Sequence, residues 1–403
     1  MKFNKWTLSL VGIGAVSLAS AVRADEAVKL VPLNTLVPST TISGYVDTAV
    51  QYNLGNYSLG ANTPAGTYGT GIGGANAQKV DSFTLNDIDI ALDKPEDATP
   101  WASGYHIDLN YGTDAVGVQI NGSPANNAAG TANTAIRQGY VVLRTPAGNG
   151  IDWKFGVQDD IIGYEGNTDG GNPNYTRSVG YSVEPTTLLG LIGSYKISDA
   201  VTVQGGVADA TSPSFVATSS DKTFAAAVAF TAPDSFGWAK GASLNLGALL
   251  NLDKNGQDNY YAGLTLPTPW TPLKLGAALD VVSVANQNTT AGPLQNNHND
   301  SGWIAGIYGN IQATDKLSFN LRGEYFDLTT STAGIGGVNG YPGTNGKGEE
   351  FTATLQYNLW ANVTSRAEFR WDHADDGRYF GSGPGYAGTG DAFLLAANLI
   401  YTF

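Results

Sequence analysis

Cysteine is absent from all 403 residues, so no disulfide can staple this chain and no thiolate can serve as nucleophile or metal ligand. Charged residues are scarce too, at 14% against 42% hydrophobic, which argues against a heavily solvated or disordered chain. Basic residues are the rarer sign: 21 Lys and Arg face 35 Asp and Glu, a net charge of −14 that repels nucleic acid. Histidine occurs only at His106, His298 and His373, which leaves little material for an acid–base site. After the first two dozen residues, no segment approaches the run of about 20 apolar residues that a membrane helix requires.

The first two dozen residues read as a secretory signal. Lys2 and Lys5 precede an apolar stretch from Trp6 to Val22, and Val22-Arg23-Ala24 offers a small-x-small cleavage site, with Ala21 as second choice. Three divisions follow as expectations: a signal peptide over 1–24, a periplasmic amino-terminal segment over 25–40, and a barrel over 41–403. Cleavage removes three cations, Lys2, Lys5 and Arg23, and takes the net charge from −14 to −17. An exported chain without a helical anchor is either soluble or a closed barrel, because lipid tolerates only helices and closed barrels.

What the chain has in abundance favours the barrel. Glycine reaches 52 and tyrosine 20, a mixture suited to alternating lipid-facing and water-facing positions with aromatic girdles at both interfaces. The last residues, Leu394–Phe403, alternate: Phe403, Tyr401, Leu399, Ala397, Leu395 and Phe393 share one face. A soluble sandwich could end this way, but such an aromatic end also suits recognition by the barrel-assembly machinery. The same period runs through the chain. Ile42, Val46, Val50 and Tyr52 oppose Tyr45, Asp47 and Gln51; Ile88, Ile90 and Leu92 oppose Asp87 and Asp89; Tyr105, Ile107, Leu109 and Tyr111 oppose His106, Asp108 and Asn110. Later, Leu317, Phe319, Leu321 and Tyr325 oppose Asn320, Arg322 and Glu324, and Val363, Ala367, Phe369 and Trp371 oppose Arg366, Glu368, Arg370 and Asp372. A fourth segment near Gln138–Arg144 has an ambiguous register; Val141 and Leu143 outward would turn Gln138 and Arg144 inward.

About sixteen such segments can be counted, with fourteen to eighteen as the range. Connections after even-numbered segments are short, as at Thr145–Gly150, Ser198–Ala200 and Trp360–Asn362. Those after odd-numbered ones are long and rich in Gly, Asn and Asp, as at Gly55–Lys79, Gly112–Asn133, Asp159–Glu184 and His373–Asp391. The expected fold is an all-β, transmembrane, antiparallel up-and-down barrel in a bacterial outer membrane. About sixteen strands leave room for water, where eight leave only packed side chains.

Three stretches carry a resemblance: Leu143–Gly156 (LRTPAGNGIDWKFG), Ile162–Glu165 (IGYE) and Asn172–Ser178 (NPNYTRS). With them the chain resembles the OmpL-like, β-barrel porin-2 group of bacterial outer-membrane porins, from about Ile42 to Phe403. The resemblance implies passive diffusion of small hydrophilic solutes and no catalytic residues, cofactor or metal. Where members tend to be apolar after the Gly-Val of the fifth strand, this chain has Gln158. Outer-membrane lipid, lipopolysaccharide and the assembly machinery are the expected partners, and a homotrimer is among the assemblies allowed. A structural or adhesive barrel with a filled lumen is the alternative, and a barrel enzyme a more distant one.

Porins commonly fold their third long loop inward, which makes Asp159–Glu184 the expected constriction, with Asp159, Asp160 and Glu165 facing inward charges. Those are Arg322, Glu324, Arg366, Glu368 and Arg370, with Lys154 and Arg144 on an earlier part of the wall. Asp47, Asp87, Asp89 and Asp108 add an acidic excess and suggest mild cation preference. Leu321→Arg is expected to destabilise and Asn320→Arg to be tolerated. Gly69–Gly74 matches a dinucleotide fingerprint in form, but its flanks are loop-like rather than strand and helix. Asp253–Asp258 lacks the bidentate Glu of a calcium loop. A weak cation site around Asp372, His373, Asp375 and Asp376 is a further candidate.

Overall fold

The computed structural model describes residues 39–54, 82–115, 133–209, 222–252, 257–284, 300–329, 346–375, 380–383 and 386–403. The expected signal segment, Gly69–Gly74, Asp253–Gly256, His298 and the greater part of the long connections lie outside them.

Sixteen antiparallel strands close into one barrel. They are β1 (Thr41–Asn53), β2 (Ser82–Lys94), β3 (Ser103–Gly112), β4 (Asn133–Thr145), β5 (Ile151–Asp159), β6 (Thr187–Lys196), β7 (Val201–Asp209) and β8 (Lys222–Thr231), followed by β9 (Ser243–Asn251), β10 (Gln257–Pro267), β11 (Leu273–Val284), β12 (Asp300–Gln312), β13 (Leu317–Thr329), β14 (Gly346–Trp360), β15 (Val363–Ala374) and β18 (Asp391–Thr402). The last connection holds a separate hairpin, β16 (Phe380–Gly383) with β17 (Tyr386–Thr389). Each barrel strand pairs with its neighbour in sequence, and β18 returns to β1 with Tyr45 opposite Thr402 and Asn53 opposite Leu394. The Phe403 N–H donates to the Gly44 carbonyl at 3.0 Å and the Gly44 N–H to the Phe403 carbonyl at 3.1 Å, so the final residue is part of the closure. A closed sheet leaves no unpaired strand edge.

The period-two pattern sorts the side chains as lipid and lumen demand. Leu321 is 40% exposed on the outside of β13, while its neighbour Asn320 is 2% exposed inside. Exposed Trp101, Trp238, Trp270 and Trp360 mark the end carrying the short turns, and Trp303 stacks obliquely on Tyr325 near the other end. These belts match the two membrane interfaces. The ambiguous fourth strand has a physical cause: the β3–β4 register shifts between Asp108 and Leu109, which are opposite Gln138 and Ile136. The extra residue, Arg137, enters the lumen beside Gln138, and a bulge of this kind breaks strict alternation.

Candidate functional site

The connection from β5 to β6 runs into the barrel. Most of residues 160–183 are buried, and they pack as a body against the inner wall. Ile161 and Ile162 join Leu188, Ile192, Ala208, Ala225 and Leu249, and Tyr164 stacks on Tyr308 with ring centroids 4.0 Å apart. Helix α1 (Val179–Val183) sets Val179 and Val183 against Val282, Ile304, Phe326 and Leu328. Tyr175 reaches Ala49, Leu394 and Ala396 on the far side. The wall makes room at Gly247 and Gly276, where an added Cβ would collide with Ile162 and with the Tyr164 hydroxyl.

An irregular segment buried in this way must find partners for its backbone N–H and C=O groups. The charged side chains of the late strands supply them. Glu324 accepts from the N–H groups of Val179 (2.6 Å) and Gly180 (3.0 Å), at the start of α1. Glu368 accepts from those of Tyr175 and Thr176 (2.9 Å). Arg366 donates to the carbonyls of Asp169 (3.0 Å) and Asn172 (2.6 Å), and Arg370 to that of Arg177 (2.7 Å). Arg322 donates to the Thr176 carbonyl (2.7 Å) and to Glu165 (2.8 Å), while its other nitrogens hold Glu350 at 3.1 Å. Asn320 donates to the Pro173 carbonyl at 2.9 Å. Arg322 is 1% exposed and Arg370 not at all.

This changes the geometry expected from the sequence. The loop folds inward, but the loop acids and the wall arginines do not face each other across open water; they touch. Arg322 and Glu165 form a contact ion pair, and Arg370 is locked between Asp372 (2.7 Å) and Glu350 (3.7 Å). Asn320 is likewise covered by the loop, so an arginine there would displace Pro173 instead of entering solvent. Asp159 leaves the group too, held by Arg137 through two bonds of 2.8 Å. Arg144 pairs with Asp152 (2.6 Å) near the β4–β5 turn. Asp372 and His373 do not converge on one cation site, because alternation sends them to opposite faces: Asp372 binds Arg370 inside, and His373 meets Asp391 (2.8 Å) outside.

The loop has its own brace. Arg177 pairs with Asp169 at 2.9 Å and lies 5.6 Å over the Tyr181 ring, and Ser178 caps α1 by accepting from the Tyr181 N–H at 3.0 Å. At its stems, Asp160 and Glu184 approach Asp280 of β11 with no basic partner among the described residues. Burial, then the neighbouring carboxylates, raises both loop carboxyls well above their ordinary range, and Glu184 shares a hydrogen bond with Asp280.

Opposite the loop, the wall of β1–β4 binds itself. Tyr45 donates to Asp87 (2.7 Å), Asn110 to Asp87 and to Asp89 (3.3 Å), and Asn86 and Asn398 to Asp47 (3.1 and 3.0 Å). Arg137 bridges Asp108 and Asp159, and His106 links Asp93 (3.1 Å) toward Asp108. Asp47, Asp87, Asp89, Asp93 and Asp108 against Arg137 and Arg144 leave this wall acidic. The loop touches it through Asp169, whose N–H reaches the Tyr45 hydroxyl at 3.3 Å, and through Tyr175, which packs on Ala49 and donates to Gln51 at 3.4 Å.

Sequence reasoning named the arginines and glutamates and turned Tyr45 and Asn320 inward without giving them loop contacts, but missed Arg137, Glu350 and Asp280. The signal for the packed loop was present: Ile161, Ile162, Tyr164, Val179, Tyr181 and Val183 are too apolar for an outer cover.

The family model described as "Putative beta-barrel porin-2, OmpL-like" matches residues 39–403. No curated protein matches the sequence significantly. Among solved structures, the barrel is similar to the outer-membrane channel DcaP of Acinetobacter baumannii, at 12% identity and a TM-score of 0.54 over 90% of this chain and 97% of that one. An anion-selective porin from Comamonas acidovorans aligns at 13% identity and 0.53, covering 91% and 99%. The trimer form of OmpT, an outer-membrane protein of Vibrio cholerae, aligns at 11% and 0.54, covering 90% and 99%. At these identities the likeness concerns the fold.

Proposed function

The chain belongs to the OmpL-like β-barrel porin-2 family, and from that premise we propose that it is a non-enzymatic outer-membrane channel for passive diffusion of small hydrophilic solutes, with mild cation preference. One observation carries the reading: the infolded loop binds β6–β18 through apolar side chains and backbone and meets β1 at Tyr45, Ala49 and Gln51, while Asp87, Asp89 and Asp108 are bonded by residues of the wall. The path then runs between loop and acidic wall, with Asp87, Asp89 and Asp108 on one side and Asp169 on the other. Asp159, Asp160, Glu165 and the three late arginines fix the loop and set the width; they do not meet the solute. Aligned side-chain charges set ion preference in such pores.

Export by the amino-terminal signal, contact with lipid and lipopolysaccharide, and assembly through the carboxyl-terminal strand accompany this reading. The trimer form of the Vibrio cholerae OmpT structure supports a homotrimer. The deep burial of Asp47 and Asp87 favours a second reading, a barrel closed by its loop. Single-channel recording in a planar bilayer under a KCl gradient separates the two. Stepwise conductance with a reversal potential on the cation side supports the channel, and a silent bilayer containing folded protein supports the closed barrel.

A further inference from the structure

Below the loop stem, a cavity of about 60 Å³ opens into the lumen between β2 and β7, toward the short-turn end. Ile192 belongs both to its lining and to the apolar cluster that seats Ile161 and Ile162, so the cavity lies directly beneath the anchored loop. Its charged residues differ in how they are bound. Asp152 is held by Arg144 at 2.6 and 2.8 Å, and Asp93 by His106 at 3.1 Å. Lys94 belongs to the outward register, opposite Tyr105. Lys154 and Glu96 remain. Among the described residues neither forms an ion pair; the Lys154 ammonium lies 4.7 Å over the Tyr140 ring. Gln204 adds a buried Oε1 that no donor satisfies.

A cation and an anion facing one small cavity without closing on each other present a matched pair of charges to whatever enters. We propose that this cavity binds small zwitterionic solutes of the amino-acid type as they cross the barrel, Lys154 taking the carboxylate and Glu96 with Gln204 the ammonium. The proposal rests on the channel reading above and adds a solute class to it. A free anion would be opposed by Glu96, Asp93 and Asp152, and a free cation by Lys154; a zwitterion meets both charges at once. Low-dielectric walls strengthen each contact relative to bulk water.

The test uses the full chain in liposomes, with swelling rates in isosmotic glycine divided by the rate of the same protein in glycerol, a neutral solute of similar size. Lys154→Gln and Glu96→Gln are each expected to lower this ratio about fivefold. The exchanged double variant, Lys154→Glu with Glu96→Lys, is expected to retain it, because both charges persist in reversed order. A ratio unchanged in both single variants overturns the cavity's role while leaving the channel standing. If the folded wild type admits no glycerol, the channel reading fails and the transit role falls with it.

Discussion

Arg322 is the anchor whose removal reports best on the loop. Substituting alanine deletes its bonds to Glu165 (2.8 Å), the Thr176 carbonyl (2.7 Å) and Glu350 (3.1 Å), all inside the barrel. Glu165 is left without its cation, and Glu350 keeps the Thr352 hydroxyl and the more distant Arg370 at 3.7 Å. Removing one partner of a buried pair costs about 3–5 kcal/mol. Glu350 belongs to the wall, whereas the Glu165 and Thr176 contacts belong to the loop, so the cost of the Glu165 pair falls on docking, and at 1.4 kcal/mol per decade the opened fraction rises roughly a hundred- to a few-thousand-fold. Proteolysis tracks that fraction when opening is fast relative to cleavage. Trypsin added to the unheated, folded barrel is therefore expected to cut after Arg177, buried at 2% exposure in the wild type, faster by about that factor. Converting both partners, Arg322→Met with Glu165→Met, recovers part of the loss because one stranded charge is gone. Cleavage at Arg177 within twofold of wild type in Arg322→Ala would refute the assignment of the arginine to the loop.

Gly276→Val is expected to expel Tyr164 from its seat and raise single-channel conductance; a conductance equal to wild type counts against the packing described. Leu321→Arg, facing lipid, should lower barrel stability by roughly 2–4 kcal/mol in urea titrations of unheated gel mobility, while Asn320→Arg should leave mobility intact and expose Arg177 to trypsin. Neutralising Asp87 and Asp89 together should move the reversal potential toward anions, an outcome absent if the path lies elsewhere. Raised carboxyls at Asp160 and Glu184 mean that the docked loop holds protons the free loop would release. Docking is then strongest below the ordinary carboxylate range and weakens as pH rises from there toward the raised values. Trypsin cleavage after Arg177 should accelerate with pH in the wild type and less steeply in Glu184→Gln; parallel pH profiles would remove the carboxyl latch.

The barrel was legible because lipid and water impose a period of two on every strand, and the pattern survives without knowledge of neighbours. The faces read at Ile88–Leu92, Tyr105–Tyr111 and Val363–Trp371 fall within β2, β3 and β15 as they stand. The register offered for the fourth strand, with Val141 and Leu143 outward and Gln138 and Arg144 inward, is the one observed; its ambiguity came from Arg137, an extra residue in β4 that interrupts the alternation. The sequence pattern assigned Gly112 and Asn133 to a connection, whereas they pair as the last rung of β3 and β4. Above the membrane, strands extend by hydrogen bonding to their neighbours and need no lipid-facing side chain.

The charges of the candidate site show a different limit. Periodicity correctly turned Arg322, Glu324, Arg366, Glu368 and Arg370 inward, but the inside of a barrel has two possible occupants, water and the chain itself. A charge facing water acts on solutes; one facing folded backbone completes its hydrogen bonds. The two cases leave the same trace in the strand and different traces in the loop, which must carry apolar residues if it is to be buried. Between Asp159 and Thr187 this chain places Ile161, Ile162, Tyr164, Val179 and Val183 beside a run of Asn and Gly. That half of the pattern decides which occupant the arginines meet. On the channel reading proposed above, selectivity then passes to charges that do not anchor the loop: Asp87, Asp89 and Asp108 of β2 and β3, and Lys154 with Glu96 beneath them.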